Sequence, residues 1–433
     1  MTLILLLSTL TGIGNGGQPS RELDLSAWVS MALDNSPAIH SSEASLLSAQ
    51  ASLTGEKAFL YPTITATAGA SRYWSESPLP GGGSVESEND SYSAGVSLSQ
   101  EILQSGGQNW LYRNASEISL QAAEADHQKA ILDVTLEVVF SYYQVVEAIQ
   151  LKRSAVNAHE RSLNQLQRTE SLYAMGAVTT LELLQVQVQE STDRLTVSRR
   201  EQALQSAYSD LYASAGADLS GPELLVNTQA VLEPLPAGSL EDFPLDISRN
   251  PALIAARLRQ DASEVRREAA GRSYWPSLRA SAGWTWNDSS LDNIDRMFDS
   301  DGYNVGLSLS WTVFDGFLRE SRINSARASQ LSSQAAVQSL EDNLESSVQT
   351  LRSSLEIDIQ YYHDSILALE LAQEQYRLSR MSYEMGALPL LDLLQAQSDL
   401  AGSETNLVSA RAAALKTEAS LMVNLGRYPR LGE

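Results

Sequence analysis

The sequence predicts a mainly α-helical chain, duplicated in tandem, with four strands that form part of a membrane β-barrel. Three observations support this fold class. Sequence blocks recur in the same order in the two halves of the 433-residue chain. Each half contains a helical run of about 70 residues, far longer than the helices of most globular domains. Each half also contains two runs in which apolar and polar residues alternate, as they do in strands.

Composition excludes several classes of protein. The chain has 30 Lys and Arg against 53 Asp and Glu, a net charge of −23, and it has no Cys. Without Cys there is no disulfide framework, thiolate metal site or thiol nucleophile. The acidity argues against binding to nucleic acid, which requires a basic face. We predict no cofactor, no metal site and no enzymatic activity, because the four His lack the spacing of metal ligands.

Residues 1–22 form a signal-like N-terminal segment. Its apolar run from Leu3 to Ile13 is too short to span a bilayer as a helix. The run resembles the apolar core of a secretory signal, although no Lys or Arg precedes it. The alternative is an apolar tail. No other stretch approaches 18 apolar residues, so contact with a membrane requires strands or an interface.

The duplication is clearest in two pairs of blocks. Tyr61–Ala66 recurs as Trp275–Ala280 at an offset of 214 residues. Tyr173–Gln187 recurs as Tyr383–Gln397, with nine of fifteen positions identical. The chain therefore divides into a first repeat over 23–215, a Pro/Gly-rich linker over 216–245, a second repeat over 246–428 and a C-terminal tail over 429–433.

Each repeat contains a short helical stretch, a long helical run and a run that returns from it. The predicted short and long stretches cover about 27–58 and 104–175 in the first repeat, and about 247–272 and 317–385 in the second. The return runs end near residues 215 and 426. Such long helices require lateral partners. In the second long run, apolar residues step by three and four, the spacing of a coiled coil. They are Leu344, Val348, Leu351, Leu355, Ile359, Tyr362, Ile366 and Leu369.

The predicted strands lie at about 63–74, 91–103, 277–287 and 302–314. Each is long enough to cross a membrane when tilted. The loops Ser75–Ser91 and Ser289–Asp301 are acidic, which suits a solvated outer surface. A soluble sandwich is the alternative, because its strands also have one apolar face. Aromatic residues near the strand ends suit a belt at the membrane interface. They are Tyr73, Trp74, Tyr92, Trp275, Trp284, Trp286, Tyr303 and Trp311.

Four strands cannot close a membrane barrel, because about eight are the practical minimum. An open sheet edge in hydrocarbon would leave backbone N–H and C=O groups unpaired. The barrel must therefore be shared between copies of the chain. Two, three or four copies would supply eight, twelve or sixteen strands, and the strands alone do not choose among them.

The doubled motifs resemble those of the TolC-type outer-membrane efflux factors. Ser36-Pro37 and Asn250-Pro251 lie early in each repeat, and a Tyr-Pro or Trp-Pro precedes each first strand. Tyr-x-Met-Gly-Ala marks each helical turn and is followed by Leu-(Asp/Glu)-Leu-Leu-Gln-x-Gln. The resemblance covers about residues 23–428. It implies a homotrimer with a twelve-stranded barrel in the outer membrane, continued by a long coiled-coil helical barrel across the periplasm.

The resemblance also implies a function and partners. A protein of this family is the outer-membrane exit duct of a tripartite exporter and conducts substrates passively to the exterior. It docks onto a periplasmic membrane-fusion adaptor protein and an inner-membrane pump, and its barrel contacts outer-membrane lipid. The alternative is a non-conducting coiled-coil envelope scaffold. A duct requires Ser281, Ser308 and Ser310 to line water, whereas a scaffold does not.

By position, the two helical turns correspond to the periplasmic tips of the family's helical hairpins. Gly suits such a turn because one residue must leave the helical conformation without a Cβ penalty. The residues implied to contact the adaptor are Gly176, Ala177, Val178, Thr179, Gly386, Ala387, Leu388 and Pro389. The family closes its tunnel here with acidic residues, and the matching gate positions are Asp392 and Gln395. Glu182 is the equivalent acid of the first repeat.

The chain departs from the family's gate at two positions. Gln395 replaces a second gate acid, and Leu388 replaces a basic residue that helps to latch the closed tip. In a trimer, Asp392 would still form a ring of three carboxylates that attracts cations. The alternative role of Asp392 and Glu182 is that of an acid favoured at a helix start by the helix dipole.

Three methionines also lie near the tips: Met175, Met381 and Met385. They could indicate export of a soft metal ion. We favour packing in a core, since Met commonly fills gaps there.

Overall fold

The structure is a computed structural model that describes residues 21–78, 80–217, 224–227, 233–236, 245–290 and 301–431. Most of the signal-like segment and the linker lies outside these residues, as do residues 291–300 of the second acidic loop and the end of the C-terminal tail. The chain divides into two compact units. Unit 1 comprises Met1–Ser41, Lys129–Asn250 and Leu344–Glu433, and unit 2 comprises Ser42–Gln128 and Pro251–Asn343.

The described residues are mostly helical. The helices are α1 (Leu25–Asn35), α2 (Pro37–Glu56), α3 (Gln108–Ala174), α4 (Thr180–Ser214), α5 (Pro251–Gly271), α6 (Leu318–Glu384) and α7 (Leu390–Asn424). The strands are β1 (Arg21–Leu23), β2 (Thr63–Pro78), β3 (Ser84–Leu103), β4 (Leu224–Val226), β5 (Ser277–Asp288) and β6 (Asp301–Ser310). Among the helices of the described ranges, none combines the length and apolar content needed to cross a bilayer.

The corresponding helices of the two repeats have equal lengths. α3 and α6 contain 67 residues each, and α4 and α7, which return from them, contain 35 each. A helix of 67 residues is about 100 Å long at a rise of 1.5 Å per residue. The long helical runs and their return runs are thus present at the expected places.

The single helical stretch predicted over 27–58 is wrong in one respect, because it is two helices. Ser36 adopts an extended conformation between α1 and α2. The residue before a proline avoids the helical region, and Pro37 has no N–H to continue the helix. The break is therefore local, and α2 begins at Pro37 itself, where a missing N–H costs nothing.

The main core of unit 1 joins α1 to α3 and α4. Trp28 on α1 packs with Val138 and Tyr142 on α3 and with Leu211 on α4, and all four are buried. β1 pairs in parallel with β4 beside this core. Tyrosine hydroxyl groups hold β4 in place: Tyr212 accepts a hydrogen bond from the Leu224 N–H at 2.7 Å, and Tyr142 donates to the Asn227 carbonyl at 3.0 Å.

A second core in unit 1 contains part of the predicted coiled-coil stripe. Val348, Leu355 and Ile359 of α6 pack against Leu421 and Leu425 at the end of α7. The stripe is buried as far as Ile359, but Ile366 is exposed. The apolar spacing is therefore confirmed in its first half only.

The sheet of unit 2 contains β2, β3, β5 and β6 in that order, and all neighbouring strands are antiparallel. Its register places Ala66, Val96, Trp284 and Tyr303 side by side across the four strands. Successive residues of a strand point to opposite faces, so this register defines two faces. The apolar face contains the predicted set of Ala, Val, Leu, Ile and Trp residues. The polar face contains mainly Ser, Thr, Gly and Asn.

The predicted loop Ser75–Ser91 is mostly strand. β2 continues to Pro78 and β3 begins at Ser84, so the connection is short. Gly81, Gly82 and Gly83 all have positive φ angles there. Arg72 helps to extend the pairing, because its guanidinium group bridges Asp90 at 2.6 Å and Glu88 at 3.0 Å on the opposite strand. Cross-strand pairing, rather than local propensity, determines where this hairpin ends.

The predicted end of the last strand, near residue 314, is also wrong. β6 ends at Ser310. The Arg319 side chain donates a hydrogen bond to the Thr312 carbonyl at 2.7 Å, which removes that group from ladder pairing. Gly316 and Phe317 then both adopt positive φ angles and turn the chain into α6.

Candidate functional site

The two helical turns have the same backbone structure. We call Gly176–Thr179 the first tip and Gly386–Pro389 the second tip. The glycines have φ angles of 72° and 75°. Ala177 N–H donates to the Leu172 carbonyl at 2.9 Å, and Ala387 N–H donates to the Ser382 carbonyl at 2.8 Å. These are Schellman motifs, which satisfy the last carbonyls of a helix.

Both tips are exposed in unit 1, as expected for a surface that contacts a partner. A Cβ atom added to Gly176 or Gly386 would meet nothing within 4 Å. The glycines are therefore required by the left-handed conformation and not by close packing. Val178 and Leu388 are the two partly buried residues among the predicted contact residues of the tips.

The first tip leads into a capping box. Thr179 accepts a hydrogen bond from the Glu182 N–H at 3.2 Å, and the Glu182 carboxylate accepts one from the Thr179 N–H at 2.7 Å. This arrangement satisfies two free N–H groups at the start of α4. The Glu182 carboxylate is thus engaged by its own helix, as the alternative role of a helix-start acid expects.

The second tip begins its helix differently. Pro389 occupies the cap position of α7 and has no side-chain group to bond. Asp392, three residues later, is exposed, and its carboxylate makes no hydrogen bond or ion pair within the described residues. Gln395 lies one turn further along α7, is also exposed, and donates to Asp399 at 2.8 Å. The two predicted gate positions of this repeat therefore lie one turn apart on α7.

An apolar groove adjoins the two tips and was not predicted from the sequence. Leu181, Leu184 and Val188 of α4 face Leu391 and Leu394 of α7 across it. Four of these five side chains are strongly exposed, and Leu394 is buried. Leu181, Leu184 and Val188 are spaced by three and four residues on α4, which predicts an apolar helix face. The spacing alone does not show whether that face is buried or exposed.

The tip methionines do not pack in a core. Met175, Met381 and Met385 are all exposed. The sulfur of Met381 lies 3.3 Å from the Arg377 guanidinium group. These residues therefore do not pack in a core of the single chain.

An ion pair joins the two hairpins near the tips. Arg168 of α3 donates to the Glu384 carboxylate of α6 at 2.7 Å, and Arg380 donates to the same carboxylate at 3.2 Å. The Arg168 guanidinium group, and then that of Arg380, lowers the pKa of Glu384 below its usual value. Further along α3, Arg161 pairs with Glu404 of α7 through contacts of 3.3 and 3.4 Å.

These cross-hairpin pairs could not be predicted, because their partners are separated by 216 and 243 residues. Tyr383 lies close to the same region. Burial raises the pKa of its hydroxyl group, and the nearby negative charge of Glu182 adds to the effect. Glu182 and Glu384 thus both lie near the contact between the hairpins.

The predicted interfacial aromatic residues do not share one face. Trp74, Tyr92, Trp284 and Tyr303 lie on the apolar face of the sheet. Tyr73 lies on the polar face with Ser71 and Ser75, because two successive residues of a strand cannot share a face. The predicted interfacial role of Tyr73 therefore differs from that of Trp74 in the face of the sheet involved, as the alternation in the sequence already implied.

Three further tryptophans of this set have other environments. Trp286 is only 2% exposed in the single chain, unlike the other aromatic residues of the predicted set. Trp275 and Trp311 lie outside the strands, at the end where β5 begins and β6 ends, and both are exposed. The Trp311 indole N–H donates to the Tyr274 carbonyl at 3.0 Å.

The sequence matches a known family. The sequence profile of the family described as outer membrane efflux protein matches residues 28–217 and 245–427. The chain belongs to this outer membrane efflux protein family. It is accordingly an efflux channel protein of the outer membrane, and the resemblance noted from its doubled motifs is confirmed.

Relatives of this efflux protein match along most of their length. It is 28% identical to the pyoverdine export outer membrane protein OpmQ of Pseudomonas aeruginosa, over 93% of this chain and 85% of OpmQ. It is 22% identical to the outer membrane protein TolC of Vibrio cholerae, over 90% of this chain and 87% of TolC.

Solved structures of the same kind share the fold of this efflux protein. VceC of Vibrio cholerae superposes with a TM-score of 0.79 at 19% identity, covering 94% of this chain and 97% of VceC. The Campylobacter jejuni channel CmeC superposes with a TM-score of 0.81 at 16% identity, covering 98% of this chain and 94% of CmeC. At these identities the likeness shows the fold.

Proposed function

We propose that the protein is the exit duct of a tripartite exporter and works as a homotrimer. Its twelve-stranded barrel crosses the outer membrane, and its helices form a coiled-coil tunnel in the periplasm. The helical tips gate this tunnel and dock onto a periplasmic membrane-fusion adaptor, which links the duct to an inner-membrane pump. The division into two repeats around a linker supports this assembly, because each repeat supplies one hairpin of strands and one of helices.

The single observation that carries the proposal is the open sheet of unit 2. Among the described residues, β2 and β6 each pair with a strand on one side only. The apolar face is exposed, with Val305 at 89%. Apolar surface of this kind is stable against lipid, but open edges are not, because their N–H and C=O groups would lack partners. Three copies joined edge to edge satisfy both requirements.

The polar face supports conduction. Ser281, Ser308 and Ser310 lie on it, as a duct requires and a scaffold does not. In a closed barrel, the apolar face meets lipid and the polar face lines the interior. Trp74, Tyr92 and Tyr303 then lie on the lipid side, whereas Tyr73 lies inside.

Asp392 is the gate residue that the local structure favours. It is exposed, and Pro389 cannot hold its carboxylate in a capping box. Three copies of Asp392 would form a ring that attracts cations and repels anions at a constriction. Gln395 would add a polar but uncharged layer one turn away. Glu182 is less suited to act as a gate residue, because its carboxylate is already bound in the capping box.

The pair between Arg168 and Glu384 holds the closed tip in our proposal. It connects the two hairpins, and Leu388 cannot supply the basic group that the family uses nearby. Opening would separate the hairpins and break this contact. The apolar groove beside the tips, lined by Leu181 and Leu391, gives an adaptor a surface to bury.

Two measurements on the purified protein test this proposal. Light scattering in detergent should give the mass of three copies, and single-channel recordings in a planar bilayer should show conductance. A monomer in detergent with intact helices would contradict the shared barrel. Inserted trimers that never conduct, even with Asp392→Ala and Glu384→Gln combined, would favour the scaffold.

A further inference from the structure

The polar face of the sheet carries almost no charge. Over β2, β3, β5 and β6 the described residues of this face are Ser, Thr, Gly and Asn, with Tyr73 and Val85 near the hairpin end. The exceptions are Arg279 on β5 and Glu101 on β3, which are cross-strand partners. The charged group Arg72, Glu88 and Asp90 lies on the other face.

Arg279 is well placed to meet a solute. Its side chain is 60% exposed, whereas that of Glu101 is 28% exposed. The nearest nitrogen and oxygen of the pair are 3.8 Å apart, which is long for an ion pair. Ser308 faces Arg279 on β6, and Ser281 and Ser277 flank it along β5. Arg279 is therefore the longest side chain in a surface of short ones.

The position of Arg279 within the sheet also matters. β5 pairs with β3 on one side and with β6 on the other, both from the same chain. A neighbouring copy that pairs with β2 or β6 therefore does not cover β5. The guanidinium group stays exposed on the polar face when the barrel closes.

We propose that Arg279 is a specificity-determining residue that binds anionic groups of solutes inside the barrel. This rests on the duct proposed above. Three copies place three guanidinium groups at one level, at the end of the barrel where β5 begins. A guanidinium group stays protonated and binds carboxylate, phosphate or sulfate in a bidentate manner. Glu101 lowers the local positive potential and so weakens the attraction.

The physical basis is the lack of other charges on this face. A charged ring in a narrow pore is a recognised means of selecting ions by sign. Over the uncharged Ser, Thr and Gly surface, no described side chain except Glu101 competes with Arg279. The attraction of anions by Arg279 should weaken in concentrated salt, because the Debye length falls from about 10 Å at 0.1 M to about 3 Å at 1 M.

A purely structural role is the competing explanation, in which Arg279 and Glu101 only join β5 to β3. The two roles differ in what Glu101→Gln should do. A structural pair is lost when either partner is neutralised. A binding site for anions becomes stronger when the acid is neutralised and weaker when the arginine is.

The experiment is block of single-channel current by sucrose octasulfate, added to the compartment that the barrel faces, in about 0.1 M salt. The concentration for half-block should rise about tenfold in Arg279→Gln, rise less in Arg279→Lys, which keeps the charge but not the bidentate geometry, and fall in Glu101→Gln. Arg72→Gln is the matched control, since it removes the same charge from the other face of the sheet. The differences should nearly vanish in 1 M salt.

The outcomes separate this inference from the duct itself. A trimer that inserts but does not conduct, even with Asp392→Ala and Glu384→Gln combined, contradicts the duct. A conducting trimer whose block is the same in Arg279→Gln, or is lost equally in Arg72→Gln, overturns the role of Arg279. If Arg279→Gln does not assemble, Glu101→Gln decides the question, because block that weakens there would equally refute an anion site.

Discussion

The two helical tips share their turn and differ in the helix start that follows. Gly176 and Gly386 adopt the same left-handed conformation and close the same hydrogen bonds. Three residues after each cap position comes an acid, Glu182 or Asp392. Thr179 holds the first acid in a capping box, whereas Pro389 leaves the second acid unbound. Duplicated positions with similar residues thus have different physical roles.

The residue at the turn and the role of the acid are therefore determined by different physical requirements. The glycine is fixed by backbone geometry, which both repeats require. The carboxylate stabilises a helix in one repeat and is available to ions in the other. A single neighbouring residue, Thr or Pro at the cap, decides between these roles.

The largest change in stability is expected where a glycine is required both by its left-handed conformation and by close packing. The tip glycines are required by conformation alone. α7 ends at Asn424 and the same type of turn follows at Gly426, but a Cβ atom added to Gly426 would clash with the Arg249 carbonyl oxygen. Gly426→Ala should lower the free energy of unfolding by about 3 kcal/mol or abolish folding. Gly386→Ala, the matched control without a clash, should cost about 1 kcal/mol. Thermal unfolding followed by circular dichroism measures both, and equal losses would contradict the distinction.

The next effect tests the two acids directly. Asp392→Ala should reduce the preference for cations over anions several-fold, because it removes three charges from a constriction. Glu182→Ala should leave selectivity near the native value, because that carboxylate is bound within its own helix. The reversal potential in a salt gradient measures this preference. An equal loss in both variants would mean that the capping box does not withdraw Glu182 from the pore.

A smaller effect concerns the ion pair between the hairpins. Glu384→Gln should raise the open probability about twofold, since it weakens one of several contacts between the hairpins. Glu374→Gln is the matched control, because Glu374 pairs with Arg377 on the same helix and its pKa is also lowered. If the control opens the channel as much, loss of charge and not the contact is responsible.

The same pair has a predicted dependence on pH. A carboxyl group with a lowered pKa in the folded protein keeps its stabilising contact above its ordinary pKa of 4.5 and loses it as the pH falls through the lowered value. The open probability of the native channel should therefore stay low and constant from neutral pH to about 4.5 and rise below it, and Glu384→Gln should remove this pH dependence. Single-channel recording across that range tests it, and opening of the native channel near neutrality would have another cause.

The smallest effect is expected from a variant in which the start of α4, like that of α7, has no side-chain cap. Thr179→Ala removes the cap of α4 and should cost about 1 kcal/mol of stability. It also frees Glu182, so a slight gain in cation preference should accompany the loss. Thr180→Ala, at the next position, is a control that leaves the cap intact. Stability lost without any change in selectivity would assign Glu182 a structural role only.

Much of the fold could be predicted because the signals are local. The repeated blocks, the spacing of apolar residues in the long helices and the alternation in the strands each depend on near neighbours in sequence. The glycines at 176 and 386 could be placed at the turns for the same reason, since a left-handed residue is required at a helix end. Local periodicity even separates the two faces of the sheet, and it places Tyr73 and Trp74 on opposite faces.

The sequence was therefore sufficient to predict that similar blocks recur in the two halves, where the long helices and the four strands of unit 2 lie, and the family. Only the tertiary structure shows where the strands of the first hairpin end and that Arg168 contacts Glu384. It also left Arg279 and Glu101 as the charged pair on an otherwise neutral face. These features depend on contacts between residues far apart in the chain, and such contacts leave no periodic signal in a single sequence.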